Sequence, residues 1–97
     1  MTPQITRLVI HGRVQGVGYR AWLAKRARHE GYSGWVRNRR DGTVEALIDA
    51  APDSLVVFIA ACREGPPASR IDHIEVTGLP REGETFIADD FTVRPTV

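Results

Sequence analysis

Apolar and polar residues alternate from Ile5 to Val14, with Leu8, Ile10 and Val14 on one side and Arg7, His11 and Arg13 on the other, which predicts a half-buried strand. After a turn over Gln15 to Gly18, Tyr19, Leu23 and Ala27 recur at four-residue steps among good helix formers. Gly31 stands where a helix commonly ends, so a first helix is expected there. Gly34 to Arg37 and Thr43 to Asp49 flank Asp41-Gly42, a dipeptide favoured in tight turns, and Val44, Ala46 and Ile48 form an alternating apolar set; these segments predict a hairpin. Pro52 suits the first turn of a second helix, in which Leu55, Phe58, Ile59 and Cys62 follow the i, i+3, i+4, i+7 spacing until Gly65-Pro66-Pro67 stops it. Ile74 and Val76 mark a fourth strand, Gly78 to Glu84 a polar loop, and Phe91 with Val93 a short final strand.

The order strand, helix, strand, strand, helix, strand, with a terminal strand added, fits an α+β ferredoxin-like βαββαβ sandwich: an antiparallel sheet with two helices on one face and a short C-terminal strand. No internal repeat or interdomain linker appears, so residues 1–97 read as a single domain. A chain of 97 residues buries only roughly 60 to 70% of its unfolded surface, which leaves room for one core and one site. That fold hosts many unrelated functions and decides nothing about chemistry.

Composition narrows the function classes. The longest apolar stretch, Leu55 to Cys62, is far short of the ~20 residues a membrane-spanning helix needs, and the N-terminus lacks a basic segment followed by an apolar one. The expectation is a cytoplasmic protein with no membrane partner, and nothing in the sequence requires more than a monomer. The lone Cys62 has no internal disulfide partner and its spacing makes it a core residue. The net charge of +1 hides an asymmetry, because residues 1–40 carry eight Arg and Lys25 against Glu30 alone. Clustered arginine points to an anionic partner, since the planar guanidinium matches phosphate oxygens two at a time.

The most informative segment lies between the first strand and the first helix: Gly12-Arg13-Val14-Gln15-Gly16-Val17-Gly18-Tyr19-Arg20. A glycine-containing turn feeding a helix N-terminus presents unpaired N–H groups and the positive end of the helix dipole, which favour an anion such as phosphate. Arg20 adds a fixed charge. Gly16, Gly18 and Ala21 satisfy the dinucleotide fingerprint, but that motif needs a parallel βαβ unit and an acidic residue near the end of the second strand, where this chain has Arg37, Asn38, Arg39 and Arg40. The nucleotide-binding P-loop needs Gly-Lys-Ser/Thr, which is absent. His11, His29 and His73 stand at no recognisable ligand spacing and read as surface residues, so no metal or other cofactor is expected. No Ser lies in a nucleophile-elbow context. The second informative segment is Gly34-Trp35-Val36-Arg37-Asn38-Arg39-Arg40-Asp41-Gly42-Thr43-Val44, in which Asn38 ends a strand that shares the sheet with the first. Its side chain is placed to lie beside the Gln15–Arg20 turn and to hydrogen-bond a water there.

Together the two segments resemble the acylphosphatases. The pattern G-R-V-Q-G-V, one variable residue, an aromatic and Arg is met from Gly12 to Arg20, and the pattern Gly, aromatic, small apolar, basic, Asn, three variable residues, Gly, x, Val is met from Gly34 to Val44. Two positions depart from the family pattern: Ala50 stands for the usual closing glycine, and Arg39 follows the Asn where a hydroxyl residue is frequent. The resemblance implies hydrolysis of acyl phosphates, the mixed anhydrides of a carboxylic acid and phosphate, to carboxylate and inorganic phosphate without metal or cofactor. It further implies that Arg20 and the amides of Gln15, Gly16, Val17, Gly18, Tyr19 and Arg20 hold the phosphoryl group while Asn38 positions the attacking water. The alternative is a phosphate- or RNA-binding module on the same fold. Single-stranded recognition wants aromatic residues exposed on the sheet, and neither the first nor the third strand supplies one, so no nucleic-acid partner is expected.

Overall fold

In a computed structural model of the chain, the alternating segment at the N-terminus forms β1 (Ile5–Arg13), followed by α1 (Tyr19–His29), β2 (Ser33–Asn38), β3 (Val44–Asp49), α2 (Pro52–Glu64), β4 (Arg70–Leu79) and β5 (Phe91–Arg94). The structure describes residues 5–79 and 90–97. The strands lie in the order β4-β1-β3-β2-β5. The period of two along each strand sorts its side chains between two faces. Leu8, Ile10, Val36, Val44, Ala46, Ile48, Ile74 and Phe91 share one buried cluster with Tyr19, Leu23, Ala24 and Ala27 of α1 and Phe58 and Cys62 of α2, so both helices cover one face of the sheet. This is the ferredoxin-like layout. Among the described residues no helix is long and apolar enough to cross a membrane.

Three local expectations are corrected. The sheet is mixed rather than wholly antiparallel, because β5 pairs with β2 in parallel. β4 and β5 run in opposite directions, so β5 begins at the end of the sheet where β4 finishes and takes the free edge beside β2. Asp41-Gly42 is not a two-residue turn either. Arg39 N donates to Thr43 O at 2.9 Å and Gly42 N to Arg39 O at 3.1 Å, which leaves a three-residue loop, Arg40–Gly42. Finally, Gly78 is not in a loop: β4 runs to Leu79, with Gly78 paired to Thr6 and Leu79 to Ile5. The remainder of the expected polar loop, residues 80–84, lies outside the described residues.

The sheet face away from the helices absorbs much of the basic excess. Glu45 is 5% exposed. Its carboxylate accepts hydrogen bonds from Arg7 Nε at 2.6 Å and Arg37 Nε at 2.7 Å. Trp35 on the same face has the guanidinium groups of Arg37 and Arg94 over its ring, 4.5 and 4.8 Å from the centroid. Only 6% of Trp35 is exposed, so the ring offers no platform on which a base can stack.

Burial opposes ionisation of Glu45, but the hydrogen bonds and charges of Arg7 and Arg37 outweigh it and hold the carboxyl below its ordinary value. A lowered folded-state value stabilises the fold at pH above the unfolded value, and that stabilisation is lost as pH falls through the folded value. Glu45→Gln is therefore expected to cost about 2 kcal/mol at neutral pH, between the values for exposed and fully buried pairs. In thermal denaturation that corresponds to a fall of roughly 10 °C, with the gap to the parent closing in acid. Equal midpoints at neutral pH would show that the arginine pair contributes nothing net.

Candidate active site

The turn between β1 and α1 is shaped by two glycines in the left-handed region, Gly16 at φ 75° and Gly18 at φ 80°. A Cβ added at either position meets no protein atom beyond its chain neighbours within 4 Å, so glycine is required there by backbone conformation rather than by space. Gly18 is also the N-cap of α1. It brings no capping side chain, and the first turn of α1 holds no acidic residue. The opening amides of the helix thus keep their hydrogen-bonding capacity and the positive end of the dipole is not neutralised from within the chain.

A cleft of about 180 Å³ opens at this helix start, lined by Val14, Gln15, Gly16, Gly18, Tyr19, Arg20, Ala21 and Asn38. Seven of the expected site residues stand at Gln15–Arg20 and Asn38, and all but Val17 line it; Val17 packs its side chain against the core. The Tyr19 ring is likewise committed to the core. It is 1% exposed and its hydroxyl donates to the main-chain oxygen of Cys62 at 2.7 Å, leaving only its backbone facing the cleft. Burial pushes the Tyr19 hydroxyl well above its ordinary ionisation range, and the Cys62 thiol, also buried, up to about 12. Neither is a nucleophile at neutral pH.

Arg20 is half-buried, and its Nη1 donates to the main-chain oxygen of Arg94 in β5 at 3.1 Å. That acceptor orients the guanidinium while the other donors of its planar fork remain for a ligand. Asn38 lies on β2 with the parity of Val36, hence on the helix side of the sheet and towards the α1 turn. Its Oδ1 is buried and, among the described residues, is the only buried side-chain nitrogen or oxygen without a protein partner. Buried polar atoms are nearly always paired, so an acceptor left open inside a polar cleft marks a place for a water or ligand donor.

Gln15 joins the two segments. Its Nε2 donates to Arg39 O at 2.7 Å and Thr43 O at 2.8 Å, gripping both sides of the hairpin base immediately after Asn38. On the other side, Val97 N donates to Asn38 O at 3.1 Å and Arg40 N to Val97 O at 2.7 Å. Asn38 is thereby held between the α1 turn and the C-terminal segment. The two departures from the family pattern leave this frame intact. The Arg39 side chain turns to Asp41, with Nη2 3.5 Å from Oδ2, and Ala50 fits in the core at 9% exposure. Sequence reasoning did not place Val14, Ala21 or the Arg94 carbonyl at the site. Ala21 is within reach of a count of first-turn amides, whereas Arg94 depends on the parallel placement of β5.

Known proteins share this sequence pattern and fold. Residues 6–93 match the family model for acylphosphatase. The chain is 48% identical to an acylphosphatase of Bradyrhizobium diazoefficiens, with 100% of each chain covered. It is 46% identical to one of Rhizorhabdus wittichii, over 94% of this chain and 88% of the relative. The crystal structure of acylphosphatase from Bacillus subtilis superposes with a TM-score of 0.84 at 35% identity, covering 94% of this chain and 98% of that one.

Proposed function

This chain belongs to the acylphosphatase family, and from that premise we propose that it hydrolyses acyl phosphates by attack of a water that Asn38 positions on a phosphoryl group held by Arg20 and the amides of Gln15–Arg20. The observation that carries the reading is the unpartnered Asn38 Oδ1 in the same cleft as Arg20 and the uncapped start of α1.

Phosphoryl transfer depends on positioning and on stabilising charge spread over the equatorial oxygens, tasks that preorganised amides and a guanidinium perform without a metal. Asn38 Oδ1 accepts a hydrogen bond from the water and aims its lone pair at phosphorus. The P–O bond to the acyl group breaks as the new P–O bond forms. The leaving carboxylate has a pKa of roughly 4 to 5, so it departs with the bonding electrons and unprotonated. No general acid is required. A carboxamide does not accept the water's proton, which passes to a phosphoryl oxygen and leaves with inorganic phosphate. The site grips the group common to all acyl phosphates, so the acyl portion is only weakly selected.

The same reading takes residues 1–97 as one domain, acting as a cytoplasmic monomer on a small-molecule substrate. The RNA-binding alternative is not favoured, because Arg7 and Arg37 are spent on Glu45 and Trp35 on the open sheet face is buried beneath arginines rather than free to stack. The test is incubation of the purified protein with benzoyl phosphate, with and without a chelator, following loss of the anhydride. Turnover that survives the chelator is expected; a preparation that is inactive in both arms, or loses activity with the chelator, overturns the reading.

A further inference from the structure

The sequence separates His11 from His73 by most of the chain, but the β1–β4 register sets them directly opposite each other at the last pair before the irregularity at His11/Gly12. Both point away from the helices, with the parity of Arg7 on β1. Their rings stack, with centroids 4.4 Å apart and planes inclined by 27°. Glu75 lies two residues beyond His73, hence on the same face, and His11 Nε2–H donates to Glu75 Oε2 at 2.5 Å. One ligand atom from each of the three residues lies within 4.8 Å of the others.

We propose that His11, His73 and Glu75 form a binding site for a divalent transition-metal ion, of the zinc, nickel or copper class, on the open face of the sheet. Bond lengths of about 2.0–2.2 Å to imidazole nitrogen and carboxylate oxygen put the ligand atoms of one such ion about 3.3 Å apart. Rotation of the side chains brings the three ligand atoms to that spacing, parting His11 Nε2 from Glu75 Oε2 at 2.5 Å, and the His11 and Glu75 side chains, 36% and 55% exposed, have space to turn. The backbone does not need to move, because the ladder already fixes the two strands. The ion takes the place of the proton shared by His11 and Glu75. Two imidazoles and one carboxylate select borderline metals over magnesium or calcium, which prefer all-oxygen sites. The fixed charge of Arg7 acts on Glu75 and is only partly offset, because the Glu45 carboxylate is shared between Arg7 and Arg37. Three protein ligands leave at least one position for water.

A bound ion clips the edge strand β4 to β1 and stabilises the folded chain by mass action. It lies on the sheet face opposite the one that carries Asn38, so it takes no part in the hydrolysis. Calorimetric titration of the purified protein with zinc chloride in phosphate-free buffer is expected to show one ion per chain, together with a rise in thermal midpoint that magnesium does not reproduce. His73→Ala and Glu75→Gln should each weaken zinc binding by at least about 10-fold. Benzoyl phosphate turnover by either variant should match the parent, whereas His29→Ala should leave zinc binding unchanged. Absence of zinc binding by the parent, or undiminished binding by the His11→Ala/His73→Ala double variant, overturns the proposal. Because the readout is metal binding, it is distinct from failure of the hydrolytic reading.

Discussion

Arg20→Ala is expected to lower kcat/KM for acyl phosphate hydrolysis by about 10³-fold or more, the range in which single arginines stabilise phosphoryl-transfer transition states, equivalent to about 4 kcal/mol. The guanidinium is half-buried at the cleft and steered by the Arg94 carbonyl at 3.1 Å, so in the proposed reaction its charge would meet the phosphoryl oxygens without reorganisation. One hydrogen bond to the protein is lost, which costs about 1 kcal/mol, and the variant should remain folded by circular dichroism. Inorganic phosphate should inhibit the variant far more weakly than the parent. Arg20→Lys should not restore the rate, because an ammonium cannot satisfy the Arg94 carbonyl and a bidentate phosphoryl contact at once. A folded Arg20→Ala protein that retains substantial activity would remove Arg20 from the chemistry.

Asn38→Ala separates grip from attack. Turnover should fall by about 10²-fold or more, as when one preorganised polar group is removed from other active sites. Inhibition by inorganic phosphate should change little, since the amides and Arg20 are untouched. The accompanying stability change is distinctive. Asn38 Oδ1 accepts no hydrogen bond from the described protein, so its removal deletes a buried acceptor without orphaning a partner, and the thermal midpoint should hold or rise. Such a trade of stability for activity is characteristic of functional groups. A large loss of phosphate inhibition would instead place Asn38 on the anion.

Much of this arrangement was legible in local pattern. The period of two in the first strand, the four-residue recurrence of Tyr19, Leu23 and Ala27, and the spacing of Phe58 and Cys62 all report burial on one face, and the structure buries each of these positions. The cleft was legible because its main-chain donors lie within one contiguous turn. What escaped notice depends on register between distant segments. Gln15 was assigned by the sequence to the phosphate turn, yet its side chain faces the hairpin and holds Arg39 O and Thr43 O, a pairing that no local rule anticipates. The histidines looked unrelated because ligand-spacing rules count along the chain, whereas the juxtaposition of His11 with His73 runs across a ladder. Gly78 was read as the start of a polar loop, yet pairing with Thr6 keeps it in the strand despite glycine's poor strand propensity.

The docking of β5 has a consequence for folding. Arg20 and the carbonyl that steers it are 74 residues apart in sequence, and Val97 brackets Asn38 from the same late segment. A collapsed chain in which α1 and the hairpin have formed but this segment has not yet docked holds the glycine turn, while its guanidinium swings and its carboxamide is supported from one side only. Regain of turnover during refolding should therefore coincide with completion of the sheet edge and lag behind the recovery of helix. The enzyme's own activity is thus a clock for the last event in its assembly.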